Sequence, residues 1–353
     1  MVESRGGPGG VGGLRVGVRT DLRTDLRAGS LEALHAGACA TPPAAARAAP
    51  NPIVIARLQQ GITLGLVAVA ALWALVCWRA GHAGWALAGA LVVVLGHALV
   101  LAVEFMLLAA AHGDDPAPRP SVAQLVAAWW GETRAAERVF AWRQPFRSRR
   151  WPDYLVPGAE GHTGVLLVHG FFCNRGLWNR WLARLRAAGV PCVALDLEPA
   201  FGSIDAYAAA VERGVARLER LTGTAPVIVA HSMGGLAVRR WYADERDAAR
   251  VRRIITIATP HHGTWLARFA HTRNGHQMRR HSRWLATLAE REQAARSERF
   301  TCFYGHCDNI VFPPSTATLT GADNRHLAGT AHVAMVDHAA PWDELERWLV
   351  PVR

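Results

Sequence analysis

A mostly parallel β-sheet covered by helices on both faces, with a pair of apolar helices ahead of it, is the architecture the sequence predicts. Three observations lead there. From Gly161 onward, short apolar runs alternate with longer helix-like stretches, the pattern of a parallel sheet buried on both faces. Upstream, residues 61–78 and 85–111 form two apolar stretches of about the length a bilayer requires. One apolar run, Val227-Ile228-Val229, leads straight into Ala230-His231-Ser232-Met233-Gly234-Gly235 and then a helix-like stretch, which puts a serine at a strand-to-helix corner.

Residues 1–52 are rich in Gly, Ala, Arg and Pro without sustained periodicity, and read as a disordered, low-complexity segment or an over-extended gene start. An apolar core with a cleavage site is missing near Met1, so no signal peptide is expected. Residues 53–112 read as a transmembrane helical hairpin. The first stretch, Gly61 to Trp78, has no charge; the second, Trp85 to Ala111, is interrupted only by His97 and Glu104. Glu104 is expected to reach the membrane interface near the far end of its span. Trp78 and Trp85 flank the short link where interfacial aromatics belong, and the alternative is a buried helical hairpin of a soluble domain. The link carries one arginine, Arg79, whereas the outer flanks carry Arg47, Arg57, Arg119, Arg134 and Arg138. A two-span hairpin therefore places both flanks, and the domain that follows, on the cytoplasmic side of a bacterial inner membrane, whereas a single span would put the domain on the opposite face.

Residues 113–157 read as an amphipathic helix and a linker. Ser121 is the expected N-cap of a helix to Trp142, with Leu125, Trp129, Trp130, Ala136, Val139 and Phe140 near helical spacing. That helix either packs on the following domain or lies on the membrane with Trp129 and Trp130 embedded. Pro145, Pro152 and Pro157 mark the linker. Residues 158–353 read as one α/β domain with strands at Val165–Val168, Val193–Leu197, Val227–Ala230, Ile254–Ile257, Phe300–Tyr304 and Arg325–Leu327. Helices are expected at Trp178–Ala188, Ala206–Leu221, Leu236–Tyr242 and Trp342–Leu349. Functional loops then gather at the carboxyl ends of the strands.

Composition narrows the partners. The formal charge is +11, and every basic residue other than histidine is arginine. The arginines are spread along the chain without a basic stripe or stacking aromatics, so no nucleic-acid partner is expected; the balance suits anionic lipid instead. The six cysteines (Cys39, Cys77, Cys173, Cys192, Cys302, Cys307) lack zinc-type spacing and read as small buried thiols, with a Cys302–Cys307 disulfide as the alternative. His261, His262, His271, His276 and His281 also match no tight metal pattern, so structural or surface histidines are expected, with no metal and no cofactor.

The serine corner carries the chemistry. Small residues flanking Ser232, here Ala230 and Gly234, are what a strained nucleophile turn needs to clear the adjoining strand and helix, with His231 between strand and serine. A serine hydroxyl needs a base, an orienter for that base, and donors for a developing oxyanion. After the first strand, His169-Gly170-Phe171-Phe172 offers the backbone N–H of Phe171, with Gly170 allowing close approach, and Met233 offers the second N–H. His169 precedes the nucleophile and ends a strand, so it reads as structural. The acid is expected after a later strand, where Asp308 follows Phe300–Tyr304; Asp323 and Asp337 are rivals. Of the downstream histidines His326, His332 and His338, His332 falls on the loop between last strand and last helix and is the expected base.

Those motifs, together with Thr259-Pro260-His261-His262-Gly263-Thr264 after the fourth strand, resemble the alpha/beta-hydrolase superfamily, and within it the bacterial lipase-like serine esterases. The resemblance spans about residues 160–350 and implies the alpha/beta-hydrolase fold. It implies that His332 takes the Ser232 proton, that Asp308 fixes the imidazole, and that water releases an acyl-enzyme. A lipid-like or apolar ester is the implied substrate, and Trp265 to Arg299 stands where lipase-like hydrolases carry a lid, or else is a plain connecting helix pair. The N-terminal hairpin lies outside the pattern of the secreted lipases. A thioesterase or acyltransferase could use the same residues, and a catalytically silent membrane scaffold is the reading from another class.

Overall fold

The computed structural model describes residues 54–349 apart from Arg246 and Gln293, and only the backbone of residues 294–296. The disorder expected of residues 1–52 lies outside the described residues.

The two apolar stretches lie within longer helices, α1 (Val54–Arg79) and α2 (Ala83–Ala111), about 39 and 43 Å long at 1.5 Å per residue. Both are long and apolar enough to cross a membrane by length and composition. Most of their large side chains face outward: Leu72 is 62% and Leu99 64% exposed, and the turn carries Trp78 and Trp85 at 71% and 67%. The helices pack through a small residue. The Trp73 indole N–H donates to the Trp85 carbonyl (2.8 Å), and a Cβ at Gly89 would stand 1.8 Å from that indole nitrogen.

Ser121 caps α3 (Val122–Ala136) with a reciprocal box: its hydroxyl accepts from Gln124 N–H (3.2 Å), and the Gln124 side chain accepts from Ser121 N–H (2.9 Å). The helical path continues through a wider π-helical run, Glu137–Arg143, into a turn at Gln144–Arg147. Ala128, Glu132 and Thr133 are buried, and the Trp129 indole N–H donates to the Ala98 carbonyl of α2 (2.8 Å). Trp129 is therefore engaged in packing on α2, whereas Trp130 is 53% exposed with Arg134 over its ring. The linker expected from residue 143 to 157 is partly built into the fold. Gln144 and Pro145 are buried, and Tyr154 pairs antiparallel with Cys192.

Six parallel strands follow: β1 (Val165–Val168), β2 (Cys192–Ala194), β3 (Val227–His231), β4 (Arg253–Ile257), β5 (Phe300–Tyr304) and β6 (Asp323–His326), in the spatial order β2-β1-β3-β4-β5-β6. β2 and β6 each begin and end earlier than their sequence patterns suggest. Alternating residues of a strand face opposite sides, and both sides are covered. Leu166, Val168, Ile228 and Ile254 pack under α5 (Ala208–Thr222) and α6 (Met233–Asp244) through Val211, Val215, Leu218, Leu236 and Trp241. Val165, Leu167, Val229, Ile255 and Ile257 pack under α4 (Asn179–Ala187) and α9 (Ala339–Trp348) through Trp181, Leu182, Leu185, Trp342 and Leu345. A third, smaller cluster joins the hairpin to the loops of the sheet: Phe105, Leu108 and Ala128 lie against Cys307, Phe312 and Ala331.

Between β4 and β5, residues 265–299 form short helical segments, among them α7 (Arg273–Gln277) and α8 (Arg283–Arg291). Leu285 of α8 is buried in the core that α6 also enters, and the nearly buried Arg239 of α6 forms an ion pair with Glu292 at 2.6 Å.

Candidate active site

Ser232 stands at the junction of β3 and α6 with φ 54° and ψ −131°, a region that side-chain-bearing residues rarely occupy. Its own N–H donates to the Ile257 carbonyl of β4 (2.9 Å), which locks the turn. Two glycines make the turn possible. A Cβ at Gly234 would lie 2.4 Å from the His169 carbonyl oxygen, and one at Gly170 would lie 2.7 Å from Ser232 Cβ. The loop after β1 thus presses its backbone against the serine. Phe171 follows Gly170 in that loop, and Met233 is the first residue of α6, where the N–H groups have no partner inside the helix.

Asp308 and His332 come together from loops after β5 and β6. His332 Nδ1 lies 2.9 and 3.0 Å from the two Asp308 oxygens, and both side chains are buried. The carboxylate is fixed in turn by its own loop, since Oδ1 accepts the backbone N–H groups of Ile310 (2.9 Å) and Val311 (2.8 Å). A carboxylate facing Nδ1 keeps the proton there, so Nε2 is left as the acceptor nitrogen. Among the described residues the Ser232 hydroxyl is in no hydrogen bond, with His332 or any other group. The residue before the serine, His231, packs on His332: the ring centroids are 4.6 Å apart, and the His231 Nε2–H donates to the His332 carbonyl (3.3 Å). Catalytic hydrogen bonds commonly tighten only when substrate is bound.

The electrostatics separate the histidines. Burial by itself pulls His332 down, but the carboxylates of Asp308, Glu132 and Glu104 outweigh it and hold the imidazole above its ordinary value. His231 goes the other way, well below its ordinary value, because it is buried and faces His332. His169 is likewise lowered by burial. It has a purely structural set of partners: Nδ1–H donates to the Gly170 carbonyl (2.9 Å) while Nε2 accepts from Leu197 N–H (3.0 Å). A base must be neutral to accept a proton. The sign therefore runs from high pH to low: kcat/KM for an ester is expected to fall as pH drops through a His332 pKa lying above the usual histidine value. A pH–rate profile measures this, and an acid limb below the ordinary imidazole range would contradict it.

The rival residues are occupied elsewhere. Asp323 and Arg325 pair near the start of β6, Asp337 pairs with Arg143 and Arg180, His338 caps α9, and His326 hydrogen-bonds His306 (2.8 Å). Of the other histidines weighed as ligands, His261 is buried against Thr256 (3.0 Å) and Arg239, and no group of three metal-ligating side chains occurs among the described residues. Cys77, Cys173, Cys192, Cys302 and Cys307 are free thiols. Burial pushes Cys173 up to about 12 and Cys192, Cys302 and Cys307 to about 11, so none of these four is poised as a nucleophile.

Several polar residues around the site escaped the sequence reading. Glu132 of α3 is 1% exposed and accepts the N–H groups of Val333 (2.8 Å) and Ala334 (2.9 Å); burial pushes its carboxyl up to about 7, with those two donors opposing. Glu104, near the far end of α2, accepts from Asn309 Nδ2 (2.7 Å). Gln59 of α1 donates to the Phe172 carbonyl (3.0 Å). The signal that could have found them is a polar residue inside an apolar stripe.

The chain belongs to the Alpha/beta hydrolase family, whose profile matches residues 165–352. Among solved structures it is similar to a Bacillus licheniformis lipase in mature form, at 15% identity and a TM-score of 0.48 over 55% of this chain and 95% of that one. It is similar also to Aspergillus fumigatus lipase B, at 19% identity and a TM-score of 0.45 over 53% of this chain and 52% of that one. A Paleococcus ferrophilus monoacylglycerol lipase aligns at 15% identity and a TM-score of 0.34 over 48% of this chain and 88% of that one. No curated protein matches the sequence.

Proposed function

We propose that the chain is a membrane-anchored serine hydrolase that cleaves carboxylic esters of lipids or similar apolar acyl compounds. Ser232 is the nucleophile, His332 the general base and then acid, and Asp308 the residue that orients His332. The observation that carries this reading is the Asp308–His332 pair, which holds the proton on Nδ1 and leaves Nε2 as the acceptor, beside His231, the residue before a strained serine. In the forward step Nε2 takes the Ser232 proton as Oγ attacks the ester carbonyl. The backbone N–H groups of Phe171 and Met233 receive the oxyanion, and the leaving alcohol takes its proton from the imidazolium. Water then repeats the sequence on the acyl-enzyme.

The apolar substrate class is supported by what surrounds the turn. Phe171 and Phe172 pack with Phe201 at ring distances of 5.8 and 6.4 Å, and Phe140 joins Phe172 at 6.4 Å. The anchor in this reading is the α1–α2 hairpin, and the excess of arginine on its outer flanks supports a hydrolase domain on the cytoplasmic face of a bacterial inner membrane.

A fluorophosphonate probe tests the chemistry and a series of acyl esters tests the substrate. Covalent labelling at Ser232 and rates that rise from short to long acyl chains are expected. Turnover confined to the shortest esters would remove the lipid assignment, and a preference for thioesters would redirect it. Orientation is checked on spheroplasts: protease added outside is expected to spare the hydrolase domain, and its digestion would reverse the assignment.

A further inference from the structure

An anchor needs only apolar length, yet each helix of the N-terminal region sends one polar side chain into a different loop of the site. From α1, Gln59, 2% exposed, reaches the Phe172 carbonyl beside the oxyanion loop (3.0 Å). From α2, Glu104 accepts from the side chain of Asn309, the residue after Asp308 (2.7 Å). From α3, Glu132 accepts the N–H groups of the two residues that follow His332 (2.8 and 2.9 Å). Asn309 extends the Glu104 contact, because its side-chain oxygen Oδ1 accepts the His332 backbone N–H (3.4 Å). Phe105 and Leu108 of α2 and Ala128 of α3 seal these bonds against Cys307, Phe312 and Ala331.

A carboxylate on an otherwise apolar helix is costly unless something holds it there. Here both carboxylates face donors on the loops that carry the acid and the base. Removing either leaves those loop groups buried without a partner and lets the loops drift, and drift of about 1 Å at a reacting group can cost on the order of 100-fold in rate.

We propose that Glu104 and Glu132 are positioning residues for the reaction of Ser232, so that the N-terminal helices are part of the hydrolase machinery as well as its anchor. The proposal rests on the reading of Ser232, His332 and Asp308 given above. Glu104 acts through Asn309, and Glu132 acts through the backbone of the His332 loop. Both also add negative charge near the base. The titratable groups facing His332 are Asp308, Glu132 and Glu104, which favour its charged form, and His231, which is itself held well below its ordinary value.

The test uses the full chain in detergent micelles, with Glu104→Ala, Glu104→Gln, Glu132→Ala, Glu132→Gln, the outward-facing hairpin variant Leu99→Ala and Ser232→Ala. The two alanine variants are expected to lose about 10- to 100-fold in kcat, with KM within about twofold and a matching loss in the fluorophosphonate labelling rate. Glu104→Gln keeps an oxygen for Asn309 and is expected to recover most of the rate, and Leu99→Ala to match the parent. In Glu132→Gln the acid limb of kcat/KM is expected to move to lower pH, a shift that loss of folded protein alone does not produce. Wild-type kcat and labelling rates in folded Glu104→Ala and Glu132→Ala would overturn the proposal. So would an unmoved acid limb together with an unchanged rate in Glu132→Gln, should the alanine variants fail to fold. Labelling that persists in Ser232→Ala would sink the underlying reading instead, and is told apart by that variant alone.

Discussion

Ser232→Ala is expected to lower kcat for a carboxylic ester by about 10⁵-fold or more, and to abolish fluorophosphonate labelling. The size follows from the role. Residues of such a unit act together, and without the attacking oxygen neither the base nor the orienting acid has anything to work on. What remains is the slow attack of water on a substrate held at the Phe171 and Met233 N–H groups, worth about 10³- to 10⁴-fold over solution. The change deletes one hydroxyl that is in no hydrogen bond among the described residues, so the fold and the micelle-bound state are expected to persist. Steady-state rates of purified full-length protein measure the effect. A loss under about 100-fold would assign the nucleophile to another residue.

Asp308→Asn is expected to cost about 10⁴-fold in kcat while leaving KM and the melting temperature nearly unchanged. The argument lies in the hydrogen bonds of the loop. Asp308 Oδ1 accepts from Ile310 and Val311 N–H, and an asparagine keeps those bonds only by turning its oxygen toward them. Its NH₂ then faces His332 Nδ1, where the carboxylate now sits 2.9–3.0 Å away. A donor there forces Nδ1 to accept, so the imidazole proton moves to Nε2 and the base is lost. The carboxylate also contributes to holding His332 above its ordinary value, and its loss moves the remaining acid limb to lower pH. Retained activity in the asparagine variant would place the orienting acid elsewhere.

Much of the fold was legible because it is written in local pattern. Wholly apolar runs mark β1, β3, β4 and β5, since a parallel strand covered on both faces needs no polar alternation. The Ser121 cap and its Gln124 partner mark the start of α3 within one turn. Length and lack of charge mark α1 and α2. β6 was harder to place, because its residues Asp323-Asn324-Arg325-His326 are polar edge-strand residues that look like a turn. In the site, the residues around Ser232 were legible because the steric demand of the turn falls on its immediate neighbours. Glu132 is hidden for a local reason as well: it falls in the stripe of Leu125, Trp129 and Ala136, whose apolar members already account for a packed helix face.

The parallel sheet, the apolar hairpin and the serine turn follow from the order of residues alone, because each depends on residues within one element or one loop. What the hairpin touches follows only from the packed fold. Glu104 meets Asn309 across 205 positions of sequence, Glu132 meets Val333 across 201, and Gln59 meets Phe172 across 113. Periodicity tells which face of a helix is buried, but not which donor waits on the far side. That is settled by the angles at which distant elements pack, and by hydrogen bonds that tolerate errors of only a few tenths of an ångström.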